Sequence, residues 1–481
     1  MRSWKGSPGL WLRALPVMAA LFFAGLLLRG QSGRTYNVGA EWWGAGRGVV
    51  FPLEEEYDDP AGQVRILNAK GMIRPQGHPF FEALGSNGRA CITCHQPGGA
   101  MSVSVDMIRK RWLDTAGSDP LFAAIDGSNC PDLPQDITES HSLLLNHGLF
   151  RMVLPWPPHA PDGSVIKPEF RLEVVRDPTG CNTSAVYGLL SPHPSVSVYR
   201  RPRMAANFKY ALANGQDFAL MGDGREPSLR SQAVTAAQAH EQAATPLNKQ
   251  QLDRIVDFEM QVFAAQSSHI RGGLLNESTS PALLGPENLA SGNASLLNGI
   301  QDPAGSSFNL WRTPKTLDVM SRFRASVARG DDVFFNRRFE VPGAVLHTGS
   351  PTMHSSATCA SCHRSGASRW MDIGTTDRAD LVPAPDLPLF RLTCDSGSAA
   401  HPLLGRVIYT EDPGRALVTG KCADIGSIVM QQLRGLSARA PYFSNGSAQT
   451  LGDVVDFYNR RFSIGYSEQE KQDLINFLSV L

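Results

Sequence analysis

The stretches CITCH (residues 91–95) and CASCH (residues 359–363) share one spacing, two cysteines three positions apart with a histidine directly after the second. On one turn of backbone, the two thiols can form thioethers to the two vinyl groups of a single porphyrin, and the histidine can then ligate the iron. The sequence therefore predicts two covalently bound haem c groups, with His95 and His363 as iron ligands. The predicted attachment residues are Cys91, Cys94, His95, Cys359, Cys362 and His363.

Two other uses of paired cysteines explain these motifs less well. A thioredoxin-like redox pair would need a strand–helix–strand setting, which the sequence shows around neither motif. A zinc site would need both pairs to converge, and it gives no reason for a histidine immediately after each pair.

The amino terminus predicts export. Arg2, Lys5 and Arg13 precede an apolar run over residues 14–28, and small and polar residues follow it. This order is typical of a secretory signal, and the run is shorter than the ~20 residues that span a bilayer. Residues 1–32 are therefore predicted to be a signal peptide or, because no A-x-A cleavage site is present, an uncleaved N-terminal membrane anchor. Either segment places the folded part in the periplasm or outside the cell.

The other four cysteines suit an oxidising compartment. Cys130, Cys181, Cys394 and Cys422 allow three disulfide pairings. The most local pairing joins Cys130 with Cys181 and Cys394 with Cys422, and buried free thiols are the alternative.

Composition divides the chain and excludes one class of partner. The 481 residues contain 45 Lys and Arg and 45 Asp and Glu, a balance that gives no basic footprint for nucleic acid. Residues 271–307 are rich in Gly, Ser, Asn, Pro and Ala, which predicts a linker or long loop. This segment separates a predicted first haem domain, residues 33–270, from a second one, residues 308–481.

The two halves also repeat beyond their cysteine motifs. GDGREPSL (residues 222–229) matches SNGSAQTL (residues 444–451), and an amphipathic helix follows each stretch. Asn248 is the predicted cap of the first helix, whose apolar side includes Phe263, and a predicted capping box begins the second at Ser467.

Strand signals are few, and short pieces such as residues 165–175 and 406–410 look like hairpin insertions. The predicted fold is therefore mainly α. It consists of two c-type cytochrome domains, each wrapped around one covalent haem, with short hairpin or loop insertions.

Three longer stretches resemble a known family. They are LRGLSARAPYFSNGSAQTLGDVVDFY (residues 433–458), FALMGDGREPSLRSQA (residues 218–233) and RGDDVFF (residues 329–335), the last with Gly330 and Phe334 at the usual helix contact of a cytochrome c unit. In these stretches the chain is similar to the bacterial di-haem cytochrome c peroxidases and to their methylamine-utilisation relative, which oxidises tryptophans of another protein. The resemblance covers most of the chain from about residue 80 onward.

This resemblance implies roles for four further residues. Tyr458 falls where the peroxidases place a methionine ligand and where the methylamine-utilisation enzyme has a tyrosine, so it is a predicted iron ligand; an ordinary buried tyrosine is the alternative. Arg225 matches the arginine of the family's Asp-Gly-Arg segment. Glu241 lies near the family's acid/base glutamate, with His240 beside it, and either side chain could move a proton between the two peroxide oxygens. Arg225, His240 and Glu241 are thus the candidate catalytic residues, with an exposed helix face as the alternative for the last two.

Two departures point away from an ordinary peroxidase. Gly222 stands where the family has a tryptophan between the haems, so Trp112 or Trp311 would have to replace that electron route. The segment MSVSVDMIRKRW (residues 101–112) lacks the histidine that peroxidases carry about a helix after the first motif. The rubber-cleaving di-haem oxygenases belong to the same broad superfamily, so oxygen chemistry also stays open.

We therefore expect an exported di-haem oxidoreductase of peroxidase-like type. One haem would react with peroxide or oxygen, and the other would relay electrons from or to a small redox protein or a dehydrogenase. The family resemblance also allows calcium. The alternative from a different class is a non-catalytic di-haem electron carrier that serves a dehydrogenase or an oxidase.

Overall fold

A computed structural model describes residues 42–211, 220–292, 307–314, 316–341, 345–348, 350–353, 356–363, 370–372 and 384–481. All of them belong to the unit Val38–Leu481. The predicted signal or anchor, residues 1–32, and residues 293–306 of the predicted linker lie outside the described residues. No helix in the described ranges has both the length and the apolar character of a membrane span.

The α-helices are mostly short, and the longest of those described has 18 residues. In chain order they are α1 (Cys91–Cys94), α2 (Val105–Thr115), α3 (Ser142–His147), α4 (Phe208–Ala211), α5 (Leu229–His240), α6 (Lys249–Gln261), α7 (Pro286–Ser291), α8 (Asn309–Arg312), α9 (Val319–Asn336), α10 (Cys359–His363), α11 (Ala416–Thr419), α12 (Leu451–Phe462) and α13 (Glu468–Leu478).

Strands are spread along the whole described chain. They are β1 (Glu54–Asp59), β2 (Gly62–Asn68), β3 (Phe150–Pro155), β4 (Phe170–Arg176), β5 (Ser195–Arg200), β6 (Val262–His269), β7 (Gly273–Leu274), β8 (Phe339–Glu340), β9 (Val345–Thr348), β10 (Ser350–Met353), β11 (Ser356–Ala357), β12 (Trp370–Asp372), β13 (Leu389–Cys394), β14 (Val407–Thr410) and β15 (Ile428–Val429). Antiparallel pairing orders them as β1-β2-β6-β7, β10-β9-β12-β15, β14-β13-β4, β3-β5 and β11-β8.

The prediction of a mainly α fold is wrong, because 33% of the described residues are helical and 18% lie in strands. The reason is visible where α6 meets β6. The apolar run that begins at Val262 continues the helical spacing of α6, so the sequence pattern predicts that Phe263 belongs to the helix. In the structure the backbone becomes extended at Val262, because β6 pairs with β2 along its length. Local periodicity cannot reveal that pairing, since the partner strand is remote in sequence.

The three-stranded sheet overturns the hairpin prediction for residues 165–175, because β4 pairs with the remote strand β13, whereas β13 and β14 are consecutive antiparallel strands. Residues 165–175 and 406–410 do contribute strands, β4 and β14, but both pair with β13. Along β13 the side chains of Phe390, Leu392 and Cys394 are buried at alternate positions. The sheet therefore joins a strand from residues 33–270 to two strands from residues 308–481, and the division into two haem domains stays a prediction.

The internal repeat has the same geometry in both copies. Each copy has an isolated antiparallel bridge, Leu220 with Glu226 and Tyr442 with Ala448. Met221 in the first copy and Phe443 in the second directly follow the first residue of each bridge. Both adopt the left-handed backbone region, at φ 67° and φ 66°. A capping box then starts α5 and α12, and the predicted caps at Asn248 and Ser467 are confirmed at α6 and α13.

The contact of α9 with α13 confirms the predicted cytochrome-like helix crossing. Gly330 lies so close to α13 that a Cβ atom there would be 2.0 Å from the carbonyl oxygen of Asp473. One turn further on, the rings of Phe334 and Phe477 lie 5.4 Å apart. Only glycine at residue 330 lets the two helices approach this closely, and the crossing forms one wall of the cavity described next.

The local cysteine pairing is also present. Cys130 lies at disulfide-bonding distance from Cys181, and Cys394 from Cys422, with Cα–Cα distances of 5.3 and 5.9 Å. The four motif cysteines stay free of disulfides. The two predicted disulfide pairs are therefore confirmed, and haem attachment at the four motif cysteines stays a prediction.

Candidate functional site

The second motif opens into a large apolar cavity of about 640 Å³. Cys359, Cys362 and His363 of α10 line it, and a wall of mainly apolar side chains from α9, β15, α12 and α13 completes it. This volume lies within the roughly 300–1,000 Å³ that ligand sites usually enclose. Two thiols, an imidazole and an apolar chamber of this size fit haem c.

Burial sets the protonation states around α10. It raises the pKa of Cys359 and Cys362 to about 11, and it lowers the pKa of His363 to about 4. The thiols are therefore protonated and the imidazole is neutral at pH 7. Neutral imidazole is the form that ligates a metal.

Tyr458 lies in the same chamber, as the sequence predicts for an iron ligand. Its ring is 6.2 Å from the ring of His363, at an interplanar angle of 89°. Burial raises the pKa of Tyr458, and so do the nearby Cys362 and Cys359, so the phenol is neutral unless a cation compensates its charge. Helix α12, capped at Thr450, holds this side chain.

The first motif faces a smaller cavity of about 160 Å³, lined by Cys94 and His95. His95 Nδ1 lies 3.1 Å from the carbonyl oxygen of Met101, and the backbone of Arg203 is a further hydrogen-bond partner of the imidazole. With Nδ1 held by Met101, Nε2 would be the nitrogen that binds a metal. Burial lowers the pKa of His95 to about 4 and raises that of Cys94 to about 12. The donor set fits haem c, but the cavity is below the usual size of a ligand site, so its walls would have to part to admit a porphyrin.

The structure brings all three candidate catalytic residues to the first motif. His240 and Arg225 line the first cavity. Glu241 accepts a hydrogen bond from the backbone N–H of Leu84 at 3.1 Å and one from the Cys91 thiol at 3.4 Å. Burial raises the pKa of Glu241 to about 7. A neutral and an ionised carboxyl are therefore both accessible near neutral pH.

Sequence reasoning missed the buried charges that hold His240 in place. His240 Nδ1 lies 2.6 Å from Asp126, and Asp126 also pairs with Arg89. Burial alone would raise the pKa of Asp126, but Arg89 and His240 outweigh it, so the net pKa is lowered. Asp126 lies in a loop outside any motif, and no sequence signal marks it.

Glu259 is a second missed residue on the first cavity. Its side chain is buried on α6, and burial raises its pKa to about 8. A signal did exist, because Glu259 follows Ile255 by one helical turn and therefore falls on the apolar face of an amphipathic helix.

A chain of ion pairs lies between the two cavities. Arg200 lines the first cavity and bonds to Asp412, which lines the second, through Nε at 2.6 Å and Nη2 at 2.8 Å. Arg200 also pairs with Asp223, which in turn bonds to Arg225 at 2.6 Å. Gln431 lines both cavities. The two sites are thus separated by a thin, charged wall.

Gly222 lies in this wall, where the family resemblance would place a tryptophan. A Cβ atom at Gly222 would lie 3.2 Å from Arg200 Cδ, so the arginine side chain fills the space beside the glycine. Trp112 packs on Phe122 and His141, while Trp311 lies in the core beside Phe308. Neither tryptophan lines the two cavities. In the described structure, therefore, neither Trp112 nor Trp311 occupies the position of the family tryptophan.

Calcium has no ligand set within the described ranges. No cluster of three or more His, Cys, Asp or Glu side chains there has the arrangement of a metal site. The acidic ligands that calcium usually takes are thus not gathered in the described residues.

Both motifs carry the donor set of a c-type haem protein, and comparison with known proteins narrows the class. The similarities support a di-haem cytochrome c peroxidase-like family. The chain is 30% identical over 185 residues to the cytochrome-c peroxidase IdrP1 of Pseudomonas sp. (strain SCT), a match that covers 34% of this chain and 48% of that protein. It is 28% identical over 157 residues to IdrP1 of Denitromonas iodatirespirans, covering 29% and 40%.

A third relative is the cytochrome-c peroxidase IdrP2 of Denitromonas iodatirespirans, 29% identical over 139 residues, with 26% of this chain and 35% of that protein covered. The chain thus spans less than half the length of the curated relatives that it matches. No family model matches the chain. The relatives' names imply haem c as a cofactor and an oxidoreductase activity.

Proposed function

We propose that this protein is an exported, peroxidase-like oxidoreductase with two covalent haem c groups, and that peroxide reacts at the first motif. The observation that carries the proposal is that His240 and Arg225 line the first cavity, while Glu241 contacts Cys91 of the same motif. The second cavity is apolar around its motif, so we assign the electron relay to the second haem.

Haem at the first motif would supply a redox-active iron at which a peroxide O–O bond can be cleaved. Cys91 and Cys94 would hold it covalently, and His95, oriented through Nδ1 by Met101, would be its ligand. Reduction of hydrogen peroxide to two waters consumes two electrons and two protons. The electrons would come from a small redox protein or a dehydrogenase.

Side chains on or beside the first cavity can deliver those protons. His240, held at Nδ1 by Asp126, presents its other ring nitrogen for proton exchange. Glu241, with a pKa of about 7, can give or take a proton at neutral pH with little cost. Arg225, fixed by Asp223, adds a positive charge that stabilises developing negative charge on oxygen.

The test uses the full chain matured in the periplasm of a host that attaches haem c. Mass spectrometry of peptides containing Cys91 and Cys359 counts the haems. We expect two haems, steady-state peroxide reduction by a reduced small cytochrome, and a loss of about 10²–10⁴-fold in kcat for His240→Asn or Glu241→Gln. Glu173→Gln, at an exposed ion pair with Arg391, is the matched control with unchanged rate.

Three results would contradict the proposal. Two haems that are indifferent to peroxide in both the ferric and the half-reduced states would leave the electron carrier. Consumption of oxygen without reaction with peroxide would indicate an oxygenase. Absence of haem on either cysteine pair would remove the two-haem assignment.

A further inference from the structure

Glu259 is a buried carboxyl group that the proposed peroxide chemistry does not use. Its residue is 4% exposed, it lines the first cavity, and its Oε2 has no hydrogen-bond partner among the described residues. An ionised carboxylate in such a place costs several kcal/mol, so proteins rarely leave one unpaired.

The internal repeat supplies a comparison from the same chain. Asn248 caps α6 and Ser467 caps α13, so counting from the caps sets Glu259 at the same helix position as Leu478. Both side chains line the cavity of their own motif. The second site therefore shows that leucine satisfies packing at this position, and the acid at the first site needs another explanation.

The groups that face Glu259 come from several elements. Glu241, at the end of α5, accepts a hydrogen bond from the Cys91 thiol of α1. Burial raises the pKa of that thiol, and the nearby carboxylates of Glu241 and Glu259 raise it further. Helix α4 contributes Phe208 to the wall. The charged or titratable groups elsewhere on the cavity are Cys94, His95, Asp126, Arg200, Arg201, Arg203, Arg225 and His240.

We propose that Glu259 is the group that takes up a proton when the haem at the first motif is reduced. This inference rests on the proposed function, because it requires haem on Cys91 and Cys94. One electron from the redox partner converts ferric to ferrous iron, and one proton from solvent converts the Glu259 carboxylate to the carboxylic acid. The positive charge lost at the iron is replaced by the proton, so the buried site stays electrically balanced.

The sign of the linkage follows from this charge balance. Ferric haem favours the carboxylate and ferrous haem favours the acid, so the pKa of Glu259 is higher in the reduced protein. By reciprocity, a lower pH raises the midpoint potential of the first haem. The slope cannot exceed about 59 mV per pH unit, the one-electron equivalent of a tenfold change. Since burial alone raises the pKa of Glu259 to about 8, we expect the slope around neutral to mildly alkaline pH.

Spectroelectrochemical titration of the di-haem protein from pH 6 to 9 tests the inference. We expect the first haem to show a falling potential with rising pH, and we expect Glu259→Gln and Glu259→Leu to abolish most of that slope. In Glu241→Gln the slope should persist, because the backbone N–H of Leu84 already donates a hydrogen bond to the Glu241 side chain. The second cavity already contains Glu411, whose pKa burial raises to about 7, so the reciprocal variant Leu478→Glu should make the potential of the second haem more strongly pH-dependent than in the parent protein.

The failure of this inference is distinct from failure of the proposed function. A fully haem-loaded Glu259→Gln protein with the parent slope would overturn the proton-uptake role, as would loss of the slope in Glu241→Gln alone. Absence of haem on Cys91 and Cys94 by mass spectrometry would instead overturn the function on which it rests. Should Leu478→Glu fail to fold, the two Glu259 variants decide the matter.

Discussion

At the scale of single residues, Tyr458 shows how one hydroxyl can set the chemistry of a site. Its ring packs against Phe457 and faces His363 across the apolar chamber. A phenol buried there prefers to be neutral, and a ferric iron would be the cation able to stabilise its anion. The prediction that Tyr458 is an iron ligand therefore keeps an ordinary core tyrosine as its alternative.

The substitution Tyr458→Phe separates these two roles, because it removes the oxygen and keeps the ring. We expect haem attachment at Cys359 and Cys362 to persist, the electron paramagnetic resonance spectrum of the second haem to change, and its midpoint potential to rise, since a phenolate stabilises ferric iron. Tyr466→Phe is the control, because it removes another tyrosine hydroxyl beside the same motif, one that lies 3.7 Å from the Cys359 sulfur. Identical spectra for Tyr458→Phe and the parent would show that Tyr458 is only a core residue.

At the scale of secondary-structure elements, the chain builds its sites from repeated pieces. The turn before α5 recurs before α12, and α6 recurs as α13. Equal pieces carry unequal side chains: Glu259 against Leu478, and Gly222 against Ser444 in the two aligned turns. The first cavity therefore has a buried carboxyl group at the position where the second has a leucine.

The crossing of α9 and α13 gives a test at this scale. Gly330→Ala would set a methyl group 2.0 Å from the Asp473 carbonyl oxygen and must push the helices apart, so we expect a loss of about 1–3 kcal/mol in the free energy of unfolding. Gly452→Ala in α12 is the matched control. A Cβ atom there meets nothing closer than 3.4 Å, and the better helix former should leave stability unchanged or raise it by about 0.5–1 kcal/mol. Chemical denaturation measures both, and equal effects of the two variants would contradict the close crossing.

At the scale of the whole molecule, buried ion pairs hold distant parts of the chain together. Arg200 of β5 bonds to Asp412, which follows β14, and β4 pairs with β13. These contacts unite residues from both predicted haem domains, and they form the wall between the two cavities. The distance and the charge between the two sites are therefore properties of the assembled fold.

Arg200→Met tests this wall. It leaves Asp412 without its bidentate partner and removes one of the two arginines that pair with Asp223, and breaking one partner of a buried pair costs about 3–5 kcal/mol. Arg391→Met is the control, because the Arg391–Glu173 pair joins the same two parts of the chain but is exposed, so we expect a change below about 1 kcal/mol. Comparable losses of unfolding free energy in the two variants would refute a special role for the buried pair.

The sequence by itself determined the features that depend on neighbouring residues. The two Cys-x-x-Cys-His motifs, the caps at Asn248 and Ser467 and the repeated turns are recognisable from local spacing, whereas the helix contact at Gly330 is implied by the family resemblance. The local pairing of the other four cysteines also agrees with the structure. Chemistry of this kind needs only a few consecutive residues to be recognised.

Only the tertiary structure decided the balance of sheet and helix, the support of His240 by Asp126, the free carboxyl of Glu259 and the Arg200 wall. Strand pairing such as β2 with β6 depends on a partner far away in sequence, so the same apolar run can be helix or strand until that partner is present. Burial likewise raises or lowers a pKa through the whole surrounding shell of atoms. The spacing of neighbouring residues reveals neither the remote partner strand nor the atoms that surround a titratable group. The chemistry of the first cavity therefore emerges only from the folded chain.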